Sequence, residues 1–371
     1  MKFIEVNNNF QKELFLQLPA KIYKNYMNYR TTNEETAEWL SFEKTEFHKH
    51  AKVTPYIIAL KEEIIGRFTL IVDQNMPEYC QIAFLEFTEN TPLNLSSLLK
   101  KFVTEKHLKC SKILIGLNGH LNYGAGILQN KFDKTPAFEL PYTRNYYPEY
   151  FLEFDKKLVS TFFFKFDNLP ENVKKYERFY PSNKFKIRHL NSDNFEEEIK
   201  IYTELNNGSF QKHLYWTNRT YKEDLELYAP FKKILTPDNL LIAEYNGNPI
   251  GFLLWLPDFN QLLKNNNEFL KFDKNLSHEE FKTKYITKID TFRIMEIAII
   301  PEFQRKRIDL MLFTELMRAI SKTNYKYCEG GFILNENVDS MNMSQKYLKR
   351  LFDPKAEIHR QYAIYETNIN T

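Results

Sequence analysis

Residues 291–312 read TFRIMEIAIIPEFQRKRIDLML, and three local signals divide the stretch into strand, turn and helix. Ile294, Ile297, Ala298, Ile299 and Ile300 form a short, branched apolar run of the kind a buried strand requires. Pro301 ends it, and Phe303-Gln304-Arg305-Lys306-Arg307 turns the chain into an amphipathic helix from Ile308 onward. A helix start leaves unpaired backbone N–H groups and a partial positive charge, which suits a diphosphate. Glu296 lies within the apolar strand and, by period two, shares a face with Ile294, Ala298 and Ile300. A carboxylate buried there has its pKa pushed towards the range of a useful general base. Upstream, Asn246-Gly247 separates Leu240–Glu244 from Pro249–Trp255, which is a strong hairpin signal.

The totals narrow the class. At 371 residues the chain is long enough for two cores, and 43% hydrophobic with 27% charged residues describes a globular protein. A formal net charge of +3 argues against a dedicated nucleic-acid binder, so no DNA partner is expected. Cys80, Cys110 and Cys328 are scattered and form no CxxC pair, which fits a reducing cytoplasm and no metal. His48-Lys49-His50 lacks further ligands at suitable spacing and reads as a solvated helix end. No apolar run reaches transmembrane length, and Met1-Lys2-Phe3-Ile4-Glu5 does not begin a signal peptide. A cytoplasmic protein is expected, with peripheral membrane contact left open. Thirty-two Phe and 23 Tyr stand against 10 Gly; either a compositional lean of the genome or an enlarged apolar pocket accounts for that.

The coarse pattern occurs twice. The first half has a helical stretch (9–29), strands at 56–60, 64–72 and 81–87, a helix at 93–105 and a strand at 112–116. The second has a helical region (192–228), the hairpin, the strand at 293–300, a helix at 308–321 and a strand at 327–334. Strand, turn and strand with Ile-Gly at the same point recur in "LKEEIIGRFTLI" and "YNGNPIGFLLWL". The expected domains are 1–167 and 185–371, joined by a polar, proline-punctuated linker from Asn168 to Lys184.

The strand–turn–helix together with "NGNPIGFLLWLPDFNQLL" (Asn246 to Leu263) resembles the GNAT superfamily of acyl-CoA N-acyltransferases. More of the chain resembles a bacterial family of tandem GNAT proteins: "FHKHAKVTPYIIALKEEIIGRF" (Phe47 to Phe68), "IGLNGHLNYGAGILQNKFDKTP" (Ile115 to Pro136), "LPYTRNYYPEYFLEF" (Leu140 to Phe154), "ELNNGSF" (Glu204 to Phe210) and "YAIYE" (Tyr362 to Glu366). That family resembles enzymes that N-acylate lipid amines, among them bacterial ceramide synthases. The resemblance implies an α/β fold of two tandem mixed-sheet domains, acyl-CoA or coenzyme A as co-substrate, and direct attack of an amine on the thioester. An acyl-carrier protein is the other donor it allows, and a lipid amine the acceptor.

Carried over residue by residue, the resemblance puts the cofactor on Ile299, Ile300, Gln304, Arg305, Lys306, Arg307, Ile308 and Asp309. The superfamily turn is Gln/Arg-x-x-Gly-x-Gly/Ala; this chain keeps Gln304 but has Arg307 and Asp309 where the glycines belong. Arg307 can pair with a phosphate oxygen, whereas Asp309 repels one. Glu296 is the candidate base, Tyr347 a second catalytic candidate, and Asn337 a coenzyme contact. Asp258 and Asn260 flank an expected acceptor pocket, and His120 and Asn122 sit on a Gly-rich loop of the first half. No phosphate turn follows the strand at 81–87, where Thr88-Glu89-Asn90-Thr91-Pro92 is acidic, so the first half is expected to lack its own coenzyme site. Two further readings stay open: a Fem-type aminoacyltransferase using aminoacyl-tRNA, and a binding protein that kept the fold and lost the chemistry.

Overall fold

A computed structural model describes residues 1–30, 32–166, 169–180, 182–263, 272 and 276–369. The first half of the chain supplies β1 (Lys2–Glu5), α1 (Asn9–Ile22), α2 (Thr32–Phe42), β2 (Ala51–Leu60), β3 (Glu63–Asp73) and β4 (Tyr79–Phe87). It continues with α3 (Leu95–Glu105), β5 (Lys112–Ile115), the two-residue β6 (Ile127–Leu128) and β7 (Asp155–Lys165). There follow α4 (Leu169–Glu177), β8 (Phe185–His189), α5 (Phe195–Phe210), α6 (Tyr221–Tyr228), β9 (Leu240–Tyr245), β10 (Asn248–Pro257) and α7 (His278–Lys284). The last elements are β11 (Thr291–Ile299), α8 (Ile308–Ile320), β12 (Tyr327–Leu334), α9 (Val338–Tyr347) and β13 (Glu357–Asn368). The class is mixed α/β, as the sequence predicts.

The strands form one sheet in the order β1-β2-β3-β4-β5-β13-β7-β12-β11-β10-β9-β8, with β6 on β13. Each half repeats a run of antiparallel strands ending in one parallel pair, β4 with β5 and β11 with β12. The centre is an exchange. β13 pairs with β5 through Tyr365–Asn368, while β7 pairs with β12. β7 and β13 also pair with each other, from Glu366↔Asp155 to Glu357↔Phe163.

Local chemistry accounts for the elements that frame the site. Asn246 (φ 51°) and Gly247 (φ 83°) supply the two left-handed residues that a tight hairpin turn requires. Gly66 and Gly251, the shared Ile-Gly positions, sit where a Cβ would lie 2.9 and 2.6 Å from the carbonyl oxygens of Glu86 and Ala298. Neighbouring backbone therefore excludes a side chain at the same point of both halves. Helix α8 is buried on almost every face, from Ile308 through Ile320, because it is packed between the sheet and α4.

Part of the segment read as a linker is helical. Leu169, Val173 and Tyr176, at helical spacing, are buried in the core of the second half. Asn168 and Pro181 lie outside the described residues. The aromatic excess is largely core packing: Phe87, Tyr146, Tyr147, Tyr150 and Phe151 form one cluster, and Phe166, Trp255, Phe292 and Tyr325 another. No helix of the described residues is long and apolar enough to cross a membrane.

Candidate active site

Parallel pairing of β11 with β12 runs from Thr291↔Tyr327 to Ile294↔Gly330 and stops there. Two irregularities open the strands beyond that point. In β11 the register against β10 slips between Glu296, opposite Leu254, and Ile294, opposite Trp255, leaving Met295 as the bulged residue. In β12, Gly331 (φ 100°) and Phe332 (φ 107°) take left-handed-side conformations at a second slip against β7. A phenylalanine at that φ is strained, and it stands on the wall of the opening.

A cavity of about 230 Å³ occupies the wedge. Its apolar wall includes Phe162, Phe210, Trp216, Phe313, Phe332 and Leu348, and its polar groups include Asn122, Glu139, His213, Arg293, Glu296 and Asn337. Leu254 and Trp255 are successive strand residues, so their partners Glu296 and Ile294 face opposite sides of the sheet. This corrects the expectation that Glu296 shares a face with Ile294. The bulge turns Glu296 towards α5, where Tyr202 O–H donates to its Oε2 at 2.6 Å and Asn206 Nδ2 donates to the same oxygen at 2.8 Å. With its proton committed to the carboxylate, Tyr202 accepts from Tyr228 O–H at 2.9 Å and from Asn122 Nδ2 at 3.3 Å. Burial raises the Glu296 pKa above the ordinary carboxylate value, and the Tyr202 and Asn206 hydrogen bonds oppose that rise. Oε2 is held by two donors, and the carboxylate is thereby fixed at the edge of the cavity.

The remaining candidates separate. Asn337 lines the cavity, caps α9 by accepting from the Ser340 N–H at 3.2 Å, and has Nδ2 3.2 Å from His213 Nε2. Tyr347 is not among the lining residues; it stacks on Phe313 at 6.0 Å, and burial, then the Asp309 carboxylate, push its pKa up. His120 is buried, with Nδ1 accepting from the Asn122 N–H at 3.1 Å and Nε2 3.0 Å from the Thr217 carbonyl. Those bonds assign a neutral ring, and burial lowers its pKa well below the ordinary value. Asp258 and Asn260 are buried beneath the cavity and hold a loop of the first half: Asp258 accepts from the Phe138 N–H at 2.8 Å, and Asn260 donates to the Pro136 carbonyl at 3.0 Å.

The turn before α8 is exposed from Gln304 to Arg307. Gln304 Nε2 closes it by donating to the Ile299 carbonyl at 3.1 Å, next to Ile300, whose N–H pairs with Ile250. Arg305 (φ 62°) and Arg307 (φ 65°) are both left-handed. The backbone at 307 thus adopts the conformation that glycine favours, at a cost of about 1–2 kcal/mol for a residue with a Cβ. Among the described residues the amides of Ile308, Asp309 and Leu310 donate to no protein atom. Three free amides beside Arg305, Lys306 and Arg307 form an anion cradle, and this donor set fits a diphosphate.

The first half has the same wedge, filled. Pairing of β4 with β5 stops at Ile82↔Ile115, and the loop after β5 turns back into the gap. Asn118 Oδ1 accepts from the Phe84 N–H at 2.8 Å, and Gln81 exchanges two hydrogen bonds with the Gly119 backbone at 2.7 and 3.2 Å. His50, read as part of a solvated helix end, instead lies between Asp73 (2.8 Å) and Glu223 (3.2 Å) and ties the halves together. Among the described residues there is no group of three or more His, Cys, Asp or Glu that could hold a metal.

Sequence reasoning missed Tyr202, Tyr228, Asn206, Glu139 and Arg293. Asn206 was within reach, since it lies in the Glu204–Phe210 stretch. Gly330-Gly331 was a second signal, a glycine pair on a strand of a glycine-poor chain.

No family model matches this sequence. Protein YghO of Escherichia coli K12 is 24% identical over 275 residues, covering 70% of this chain and 66%, just under two thirds, of that protein. The bacterial ceramide synthase of Caulobacter vibrioides is 21% identical over 275 residues, 71% of each. Among solved structures, a tandem GNAT protein from the clavulanic acid biosynthesis pathway superposes with a TM-score of 0.52 at 8% identity, over 100% of this chain and 99% of that one. The fold is that of tandem GNAT proteins, as the sequence resemblance implies.

Proposed function

We propose that this protein transfers an acyl group from a thioester, acyl-CoA or an acyl-carrier protein, to an amine. The observation that carries the reading is the Glu296 carboxylate, fixed by Tyr202 and Asn206 at the edge of a cavity between two splayed parallel strands. The thioester arm lies between β11 and β12, where the ladder has ended and backbone groups are free to meet amides. The diphosphate rests on the amides of Ile308, Asp309 and Leu310, with Arg307 pairing a phosphate oxygen.

In the reaction the amine nitrogen attacks the thioester carbonyl while Glu296 takes its proton, directly or through a water. The tetrahedral oxyanion is held by backbone N–H groups at the β11 bulge. Its collapse breaks the C–S bond and releases the thiolate. No covalent enzyme intermediate is needed. The apolar wall of Phe162, Phe210, Trp216 and Phe332 suits a long acyl chain, and the relative named bacterial ceramide synthase supports a lipid amine as acceptor. The filled wedge at Asn118 supports a first half without its own coenzyme site.

Calorimetric titration with CoA and with palmitoyl-CoA tests this. Micromolar binding of both, tighter for palmitoyl-CoA and lost in Arg307→Glu, is expected. Absence of binding by either removes coenzyme A as donor. Binding without turnover on any amine favours the reading of a binding protein that lost its chemistry.

A further inference from the structure

The site contains a second carboxylate with no part in the acyl-transfer steps. Glu139 lies on a loop of the first half that reaches beneath the second, and four buried side chains fasten that loop. Arg360 donates to the carbonyls of Lys131 and Lys134, each at 3.3 Å, and of Thr135 at 2.6 Å. Asn260 takes the Pro136 carbonyl, Asp258 the Phe138 N–H, and Arg293 the Phe138 carbonyl at 2.8 Å. Glu139 comes next, in a left-handed conformation (φ 63°) that a glutamate rarely adopts. A backbone this constrained before a strained residue fixes that residue in place, on the wall of the cavity.

Among the described residues neither Glu139 nor Arg293 has its full set of partners. Among the described residues Glu139 makes no ion pair or side-chain hydrogen bond, and Arg293 spends one donor on Phe138. Both face the cavity, and each feels the other's charge without forming an ion pair. Burial brings Glu139 up to about 7, while the Arg293 guanidinium holds it lower than burial alone would. A carboxylate with no protein partner on the wall of a reaction chamber is completed by a cationic donor.

We infer that Glu139 is the anchor for the acceptor's ammonium group, a specificity-determining residue that selects amines over uncharged nucleophiles. Arg293 and Asp258 act through it as positioning residues. The acceptor site is then composite: Glu139 of the first half holds the ammonium, which gives one proton to solvent to become the free amine, and Glu296 of the second half takes the second proton as that amine attacks. The role of Glu139 in turnover rests on the acyl-transfer reading; its role in binding the cation does not.

The test is calorimetric titration with decylamine and decan-1-ol, below their micelle concentrations, on the wild type, Glu139→Gln and Glu296→Gln. Thermal melting confirms that the variants are folded. Wild type is expected to prefer the amine by about 10- to 100-fold, the range of a charge-assisted hydrogen bond, and Glu139→Gln to erase that preference with the alcohol unchanged. In turnover Glu139→Gln raises KM for the amine with little change in kcat, the reverse of Glu296→Gln. Equal affinity of wild type for amine and alcohol, equal loss of both in Glu139→Gln, or loss of the preference in Glu296→Gln instead, overturns the assignment. Failure of palmitoyl-CoA to bind, with the amine preference intact, removes coenzyme A as donor and leaves the Glu139 assignment standing.

Discussion

Replacing Glu296 separates its chemistry from its architecture. In Glu296→Gln a carbonyl oxygen remains where Oε2 stands, so the Tyr202 hydroxyl at 2.6 Å and the Asn206 amide at 2.8 Å keep an acceptor. In Glu296→Ala both lose it. Each donor left unpaired costs about 1–3 kcal/mol, so the alanine variant is expected to lose roughly 2–6 kcal/mol and the glutamine variant within about 1 kcal/mol. The sign of the charge effect favours glutamine further. Burial raises the folded-state pKa of Glu296, so the stability tied to its neutral form is full at low pH and is lost as pH rises through that raised value. A permanently neutral glutamine escapes that loss, and its stability relative to wild type improves as pH increases. Activity moves the other way: removing a positioned base costs about 10²–10⁴-fold in kcat. The assay is release of the coenzyme thiol, trapped by a chromogenic thiol reagent, alongside thermal melting at several pH values. A Glu296→Gln protein within threefold of wild-type turnover would refute the base assignment. One that melts as low as Glu296→Ala would refute the acceptor argument.

Other features make further outcomes testable. Arg307→Gly relieves a left-handed backbone and should not lower the melting temperature, yet palmitoyl-CoA affinity should fall several-fold if the guanidinium pairs with phosphate; unchanged affinity assigns that role to the amides alone. His50, flanked by Asp73 and Glu223, has its pKa raised to about 9. Its contribution is therefore full below pH 6.5 and lost as pH rises through 9. His50→Gln should destabilise by about 1 kcal/mol at pH 6, once screening of this partly exposed ring is allowed for, and by nothing measurable at pH 10. Gly126 has φ 93°, and a Cβ there would lie 2.6 Å from the Tyr362 Cβ; Gly126→Ala should cost about 2–5 kcal/mol and be visible as a large drop in melting temperature.

The features legible in the sequence are those written locally. Asn246-Gly247 named its own turn, and Pro301 with the apolar run before it marked the end of β11. Leu169, Val173 and Tyr176 carried a helical period, but the prolines and polar residues around them obscured it. The β11 bulge was out of reach: which residue is left over depends on the register against β10, and one slipped residue sends Ile294 and Glu296 to opposite faces. Asp258 and Asn260 were read as flanking an acceptor pocket; that they also clamp a distant loop was not legible, because their partners are Phe138 and Pro136. Glu139 left no trace in its own neighbourhood, since Arg360, Asn260, Asp258 and Arg293 fix its place from remote parts of the chain. The acidic turn after β4 spoke only against a phosphate site; the filled wedge of the first half was not legible, because the groups that fill it, Asn118 and Gln81, lie on other elements.

The exchange of β7 and β13 at the centre of the sheet sets the order of assembly. As the chain leaves the ribosome, β5 is made long before β13, the strand that covers it. Until the whole second half has been synthesised, the first presents a bare hydrogen-bonding edge over an apolar core, the condition under which strands recruit the wrong neighbour. β7 faces the same wait for β12 and β13. Cutting the gene between the halves therefore yields two incomplete sheets rather than two small proteins, and any lineage that shuffled these units had to move them as a pair.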